Sequence, residues 1–122
     1  MPTSSKKALD AAAILCQLRA WAQATGCGRD DVELIILFGS LAKGTHTGRS
    51  DIDLLVVVRD SPVRFLERPC SFTLPQLQAP VDLFVYTRAE MAPDRRPPLA
   101  ERALREGVVL FSRGCPGKDN LR

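Results

Sequence analysis

Apolar and polar positions fall into helical spacing at the start of the chain and into strand-like runs after it. From Lys6 to Thr25 the apolar residues Ala11, Ile14, Leu15, Leu18, Trp21 and Ala22 recur every three or four positions. That spacing predicts a helix with one buried stripe. Ser4 or Ser5 is placed to cap its start, and Gly26 and Gly28 stand where it should stop. Trp21 lies on the stripe and reads as packing. Val32–Phe38 (VELIILF) is apolar, β-branched, too short for a helix and bounded by a Gly-Arg-Asp-Asp turn and Gly39. It predicts a strand. Ile52–Arg59 predicts a second, and its unbroken Leu54–Val58 run implies burial on both faces. Val81–Tyr86 (VDLFVY) predicts a third.

After the third strand, Thr87-x-x-Glu90 is a capping-box pattern opening a short helix. Pro97 or Pro98 opens another over Leu99–Glu106, Gly107 ends it, and Val108–Phe111 is a fourth short strand. Two segments are irregular. GSLAKGTHTGRS, between the first two strands, has room for one helical turn at most, and Pro62, Pro69, Pro75 and Pro80 exclude a long helix from residues 60–80. The order predicts one α/β (α+β) domain over residues 1–122: a mixed, mostly four-stranded sheet with helices packed on one face. The core spans about 32–111, the N-terminal helix about 6–25 covers the sheet with Ile14 and Leu18, and 112–122 form a frayed tail.

Composition narrows the function classes. The 122 residues are 45% hydrophobic and 25% charged, which excludes a disordered tail or a coiled coil. The longest apolar run, Ala11–Cys16, is far short of a membrane span. The net charge of +3 suits an anionic ligand such as a nucleotide. No long basic run occurs, so nucleic acid is not the expected partner. Cys16, Cys27, Cys70 and Cys115 form no C-x-x-C pair and His46 stands alone, which argues against a zinc site built on paired ligands. With no signal-peptide pattern at Lys6 and Lys7, the cysteines read as reduced thiols of a cytoplasmic chain.

The chemistry concentrates in GSLAKGTHTGRSDID, residues 39–53. Gly39 ends a buried strand and admits a phosphate close to the backbone. Ser40 adds a hydroxyl and a main-chain N–H at the start of a helical turn, a place suited to anions. Asp51 and Asp53 are one residue apart at the mouth of the next strand, so period two puts both carboxylates on one face. Two carboxylates that close repel unless a cation sits between them, and Mg²⁺ is the hard cation that carboxylates share with phosphate. Asp82, second in the third strand, joins them if that strand pairs beside the second. Three such carboxylates can hold two metals. Lys43, Arg49 and Arg59 flank the motif as candidate phosphate neutralisers, His46 reads as an exposed loop residue, and Glu90 as a helix cap.

Gly-Ser, ten residues, Asp-x-Asp and a third Asp on a later strand together resemble the nucleotidyltransferase superfamily that includes DNA polymerase beta. The short form is similar to the minimal nucleotidyltransferases, many of which pair with a HEPN-domain protein as toxin–antitoxin modules. The likeness runs from Val32 to Phe111, including VDLFVYT and LREGVVLF. It implies that Gly39 and Ser40 hold the nucleotide phosphates, that Asp51 and Asp53 bind two Mg²⁺ ions, and that Asp82 binds the catalytic metal and activates the acceptor hydroxyl. The implied reaction moves a nucleoside monophosphate, AMP from ATP, to a hydroxyl of a HEPN-type partner protein. The alternative is a non-catalytic, partner-neutralising subunit with a degenerate or secondary nucleotide site.

Two departures bear on the acceptor. Larger relatives carry a helical domain after the core, for which this chain has no room, and many carry a helix where residues 60–80 are proline-rich. The acceptor site is then expected from a second copy of the chain or from a separate protein, or not to exist. Phe65–Leu77 and Arg95–Arg105 are the candidate docking surface.

Overall fold

The structure, a computed structural model, describes residues 11–39, 52–74, 77 and 81–113. Helix α1 (Ala11–Gly28) leads into strand β1 (Val32–Phe38), and β2 (Ile52–Val58) follows. A 3-10 segment at Phe65–Ser71 precedes β3 (Val81–Thr87), a 3-10 turn at Ala89–Met91, helix α2 (Pro98–Glu106) and strand β4 (Val108–Ser112). The strands form one sheet in the order β3-β2-β1-β4. β1 pairs antiparallel with β2 and β4, and β2 pairs parallel with β3. The mixed four-stranded α+β sheet is therefore as the sequence predicts.

Each strand sits where its residue types require. In β1 and β2 six of seven positions are buried, because these central strands are covered on both sides. On one face Ile14, Leu18 and Ala22 of α1 meet Ile35, Leu37, Leu54, Val56, Leu83 and Val85. On the other, Ala100 and Ala103 of α2 and Met91 meet Leu34, Ile36, Phe38, Leu55 and Val57. The expectation of helices on one face thus needs correction: α1 and α2 pack on opposite faces. The physical reason is legible in β2, whose consecutive apolar residues point alternately to both sides and leave neither free to face water.

Helix α1 runs through Gly26 and ends at Gly28, the second of the two glycines expected to stop it. Gly26 is buried, and a Cβ built on it would collide with the ring of Phe111. The missing side chain lets the helix lie against β4, a packing gain that outweighs the roughly 1 kcal/mol helix penalty of glycine. A tertiary contact also holds the helix end. The Arg113 guanidinium donates to the carbonyl of Gly26, an acceptor that a helix end leaves open, and to those of Arg29 (2.9 Å) and Val32 (2.7 Å) in the turn and strand that follow.

The proline-rich connection wraps the β3 edge. Its 3-10 segment contains Pro69, consistent with the exclusion of a long helix. Phe72, Leu74 and Leu77 pack on the α1 side, while Phe65 stacks on Tyr86, with ring centroids 5.0 Å apart, and Tyr86 packs on the α2 side. Arg68 spans the two. It is buried, donates to the backbone carbonyls of Val63 (2.8 Å) and Val85 (3.1 Å), and forms a two-pronged pair with Glu90 at 2.7 and 3.2 Å. A cation seated on the rim of an edge strand also blocks further strand pairing there.

Candidate active site

The site grows from the end of β1. Gly39 follows Phe38 with φ +89°, a left-handed conformation that side chains other than glycine adopt at a cost. A Cβ at this position would collide with Oδ2 of Asp53. Conformation and clearance therefore both require glycine. The same contact shows that the turn backbone lies directly against the Asp53 carboxylate, so a group seated on that backbone meets the carboxylate as well.

Strand register brings the second carboxylate. Asp53 faces Phe38 across the antiparallel β1–β2 pair and Asp82 across the parallel β2–β3 pair. Adjacent strands lie about 4.8 Å apart, and in-register residues of a pleated sheet point to the same side. That side is the α2 face, because Leu55 and Val57 follow Asp53 by alternation, and Phe84 and Tyr86 follow Asp82, all four packing there. Asp53 is half-buried and Asp82 exposed. The Phe38 and Phe84 rings, 6.1 Å apart between centroids, stand on either side of β2 beneath the pair. A floor of this kind lowers the local dielectric and strengthens the interaction of both carboxylates with a cation.

Of the five residues singled out by sequence, Gly39, Asp53 and Asp82 come together. Ser40 and Asp51 lie outside the described residues, as do Lys43, His46 and Arg49. Among the described residues no cluster of three metal-ligating side chains occurs; the described donor set is the two carboxylates. Both are hard oxygen donors, in register, on one face and open to solvent on the Asp82 side. A divalent cation of the Mg²⁺ type suits that chemistry.

Arg59 does not join them. It follows the far end of β2, donates to the Asp30 carbonyl at 2.6 Å and pairs with Glu33 at 3.7 Å, some 20 Å along the strand from Asp53 by strand rise. Glu90 acts as the cap that its spacing predicts. It accepts from the Thr87 N–H at 2.9 Å, and its own N–H donates to Thr87 Oγ1 at 3.3 Å. The Arg68 guanidinium hydrogen-bonded to Glu90 holds its carboxyl below the usual range. Burial, reinforced by the Glu90 charge, pushes the Tyr86 hydroxyl up. Sequence reading missed Arg68, since an arginine in an irregular segment carries no periodic signal.

A second concavity lies on the same face. Phe65, Tyr86, Glu90, Arg95 and Pro97 line an open groove of about 290 Å³. Phe65 and Arg95, from the two segments that sequence names as one docking surface, line it together.

A profile of the nucleotidyltransferase domain matches residues 23–110, which includes the Gly39 turn, Asp53 and Asp82. The chain belongs to the nucleotidyltransferase domain family. Two solved structures share its fold. A protein from Sulfolobus solfataricus, provisionally named a nucleotidyltransferase, is 21% identical, with a TM-score of 0.62 over 84% of this chain and 84% of its own. A toxin-antitoxin crystal structure with AMP-PNP is 20% identical, with a TM-score of 0.54 over 82% of this chain and 77% of its own. No curated protein matches. No helix of the described nucleotidyltransferase domain is long and apolar enough to cross a membrane.

Proposed function

We propose that this nucleotidyltransferase moves AMP from ATP to a hydroxyl on a separate protein, with Asp51, Asp53 and Asp82 as metal ligands and Gly39 and Ser40 at the phosphates. The observation that carries the reading is the in-register pair Asp53 and Asp82, with the Gly39 turn packed on Asp53. The AMP-PNP of the toxin-antitoxin neighbour favours an adenine nucleotide and a two-protein setting. Mg²⁺, when bound, would supply charge neutralisation at the phosphates and make the acceptor hydroxyl more acidic, so that a carboxylate can take its proton.

The chain's own groups have separable tasks. The Gly39 turn offers close backbone approach to phosphate oxygens. Asp82, on the solvent side of the pair, accepts the proton of the attacking hydroxyl. The hydroxyl oxygen bonds to the α-phosphorus, the bond from that phosphorus to the bridging oxygen breaks, and pyrophosphate leaves. The acceptor is expected to be macromolecular. The described groove is open and shallow, whereas small-molecule sites enclose most of the ligand.

The test is incubation with α-labelled ATP, Mg²⁺ and the product of the adjacent reading frame. Label should pass to that protein with release of pyrophosphate, and Asp53→Ala should abolish transfer. Efficient labelling of a free aminoglycoside by the chain alone would overturn the assignment of a protein acceptor. Partner binding with no pyrophosphate from the intact chain would favour the non-catalytic reading.

A further inference from the structure

The groove beside the carboxylates carries a commitment about what docks there. Leu66 is 84% exposed and Val63 38%, two of the three large hydrophobic side chains that stand exposed among the described residues. Both flank Phe65, which with Pro97 forms the apolar wall of the groove. An isolated exposed leucine would need no explanation. Two of them in the segment that supplies the aromatic wall of a concavity mark a contact surface.

Charge specifies the occupant. Glu90 lines the groove, but both its oxygens are held by Arg68, so its charge is compensated within the chain. Arg95 also lines it and is exposed. Its backbone N–H reaches the Ala92 carbonyl, but among the described residues its guanidinium has no ion pair or hydrogen bond. The available charge of the groove is therefore positive, next to an apolar surface.

Position ties the groove to the reaction. Tyr86 lines it and lies four residues beyond Asp82 on β3, facing the same side of the sheet. At a strand rise of about 3.3 Å per residue the two positions are roughly 13 Å apart. An extended segment seated at the groove spans the same distance in about four residues.

We infer that the groove between Phe65 and Arg95 seats an acidic–apolar segment of the acceptor protein. A large apolar side chain packs on Phe65, Leu66 and Pro97, an adjacent Asp or Glu pairs with Arg95, and the acceptor hydroxyl lies about four residues away at Asp82. This rests on the proposed transfer to a protein acceptor, and binding and transfer are read separately in its test.

The probes are acetylated nonapeptides with one Tyr, placed four residues from a Leu flanked by two Asp. In control peptides Ser replaces Leu or Lys replaces both Asp. Peptide binding is followed by fluorescence anisotropy, and Mg²⁺–ATP binding by calorimetry. The Leu/Asp peptide should bind with Kd below about 1 mM, at least ten-fold more tightly than either control. Leu66→Ser and Arg95→Glu should each weaken it by at least ten-fold with Mg²⁺–ATP binding unchanged. Arg95→Glu should in turn prefer the Lys peptide, a reversal that loss of folding could not produce. Peptide binding without labelling of its Tyr would leave the docking proposal standing and count against the transfer reading. Equal binding of all three peptides, no binding of any, or variants that bind as the wild type does would overturn it. So would dimerisation of the chain that Leu66→Ser abolishes, since the face would then belong to a second copy.

Discussion

At the scale of single residues, the site depends on one conformation and one register. Gly39 combines φ +89° with a Cβ direction blocked by Asp53. Gly39→Ala should therefore strain the backbone by about 1–2 kcal/mol and displace the carboxylate. Nucleotide binding should fall more than ten-fold in calorimetry, while the thermal midpoint drops by only a few degrees. Asp82→Asn tests the opposite balance. Asp82 is exposed, so removing its charge should leave the ligand-free chain at least about as stable. Scanning calorimetry should show that midpoint unchanged or raised, and the rise on adding Mg²⁺–ATP lost. A wild-type-sized rise in Asp82→Asn would remove Asp82 from the proposed site.

At the scale of elements, the proline-rich connection is ordered by polar contacts rather than by its own propensity. Arg68 donates to the Val63 carbonyl within the connection, and holds it to β3 through the Val85 carbonyl and to the turn after β3 through Glu90. Arg68→Ala would leave the buried Val85 carbonyl without this donor, at a cost of about 1–3 kcal/mol. Protease should then cut first in residues 59–77, before the sheet unfolds. The Arg68–Glu90 pair also predicts a pH dependence. The Glu90 carboxyl sits below its ordinary 4.5 because Arg68 holds the charged form. A lowered folded value contributes stability above the ordinary value, which is lost as pH falls through the folded one. Glu90→Gln should thus flatten the fall in thermal midpoint below about pH 4.5. Some acid sensitivity should persist from Asp31, which Arg29 lowers in the same way. The effect should be modest, since the Glu90 side chain is 39% exposed and solvent screens it.

At the scale of the molecule, the sheet is a filled layer between two helices. Leu54 and Leu55 are adjacent, fully buried and on opposite faces. Leu54→Ala and Leu55→Ala should each cost about 2–5 kcal/mol by the usual cavity range, measured by urea unfolding. A sheet covered on one face only would make one of them mild.

The strands, their order along the chain and the carboxylate motif were legible in the sequence because each rests on local pattern. VELIILF, IDLLVVV and VDLFVY are apolar runs too short for helices, and Asp53 and Asp82 each stand second in one of them. The run in β2 even stated that both faces are buried, yet which helix covers which face has no local signature. Likewise, nothing near Gly26 announces the ring of Phe111, so the passage of α1 through that glycine to Gly28 was decided across the fold. The pairing of Asp53 with Asp82 was decided there too. It depends on β3 running parallel beside β2 in one register, and that register is set by burial on both faces, since a shift by one residue would turn Leu54 and Leu83 from one helix to the other. Sequence thus determined which groups could carry the chemistry, through short-range periodicity and residue type. Tertiary packing alone determined which of them meet, because contacts between residues distant in sequence are selected by the burial of whole faces.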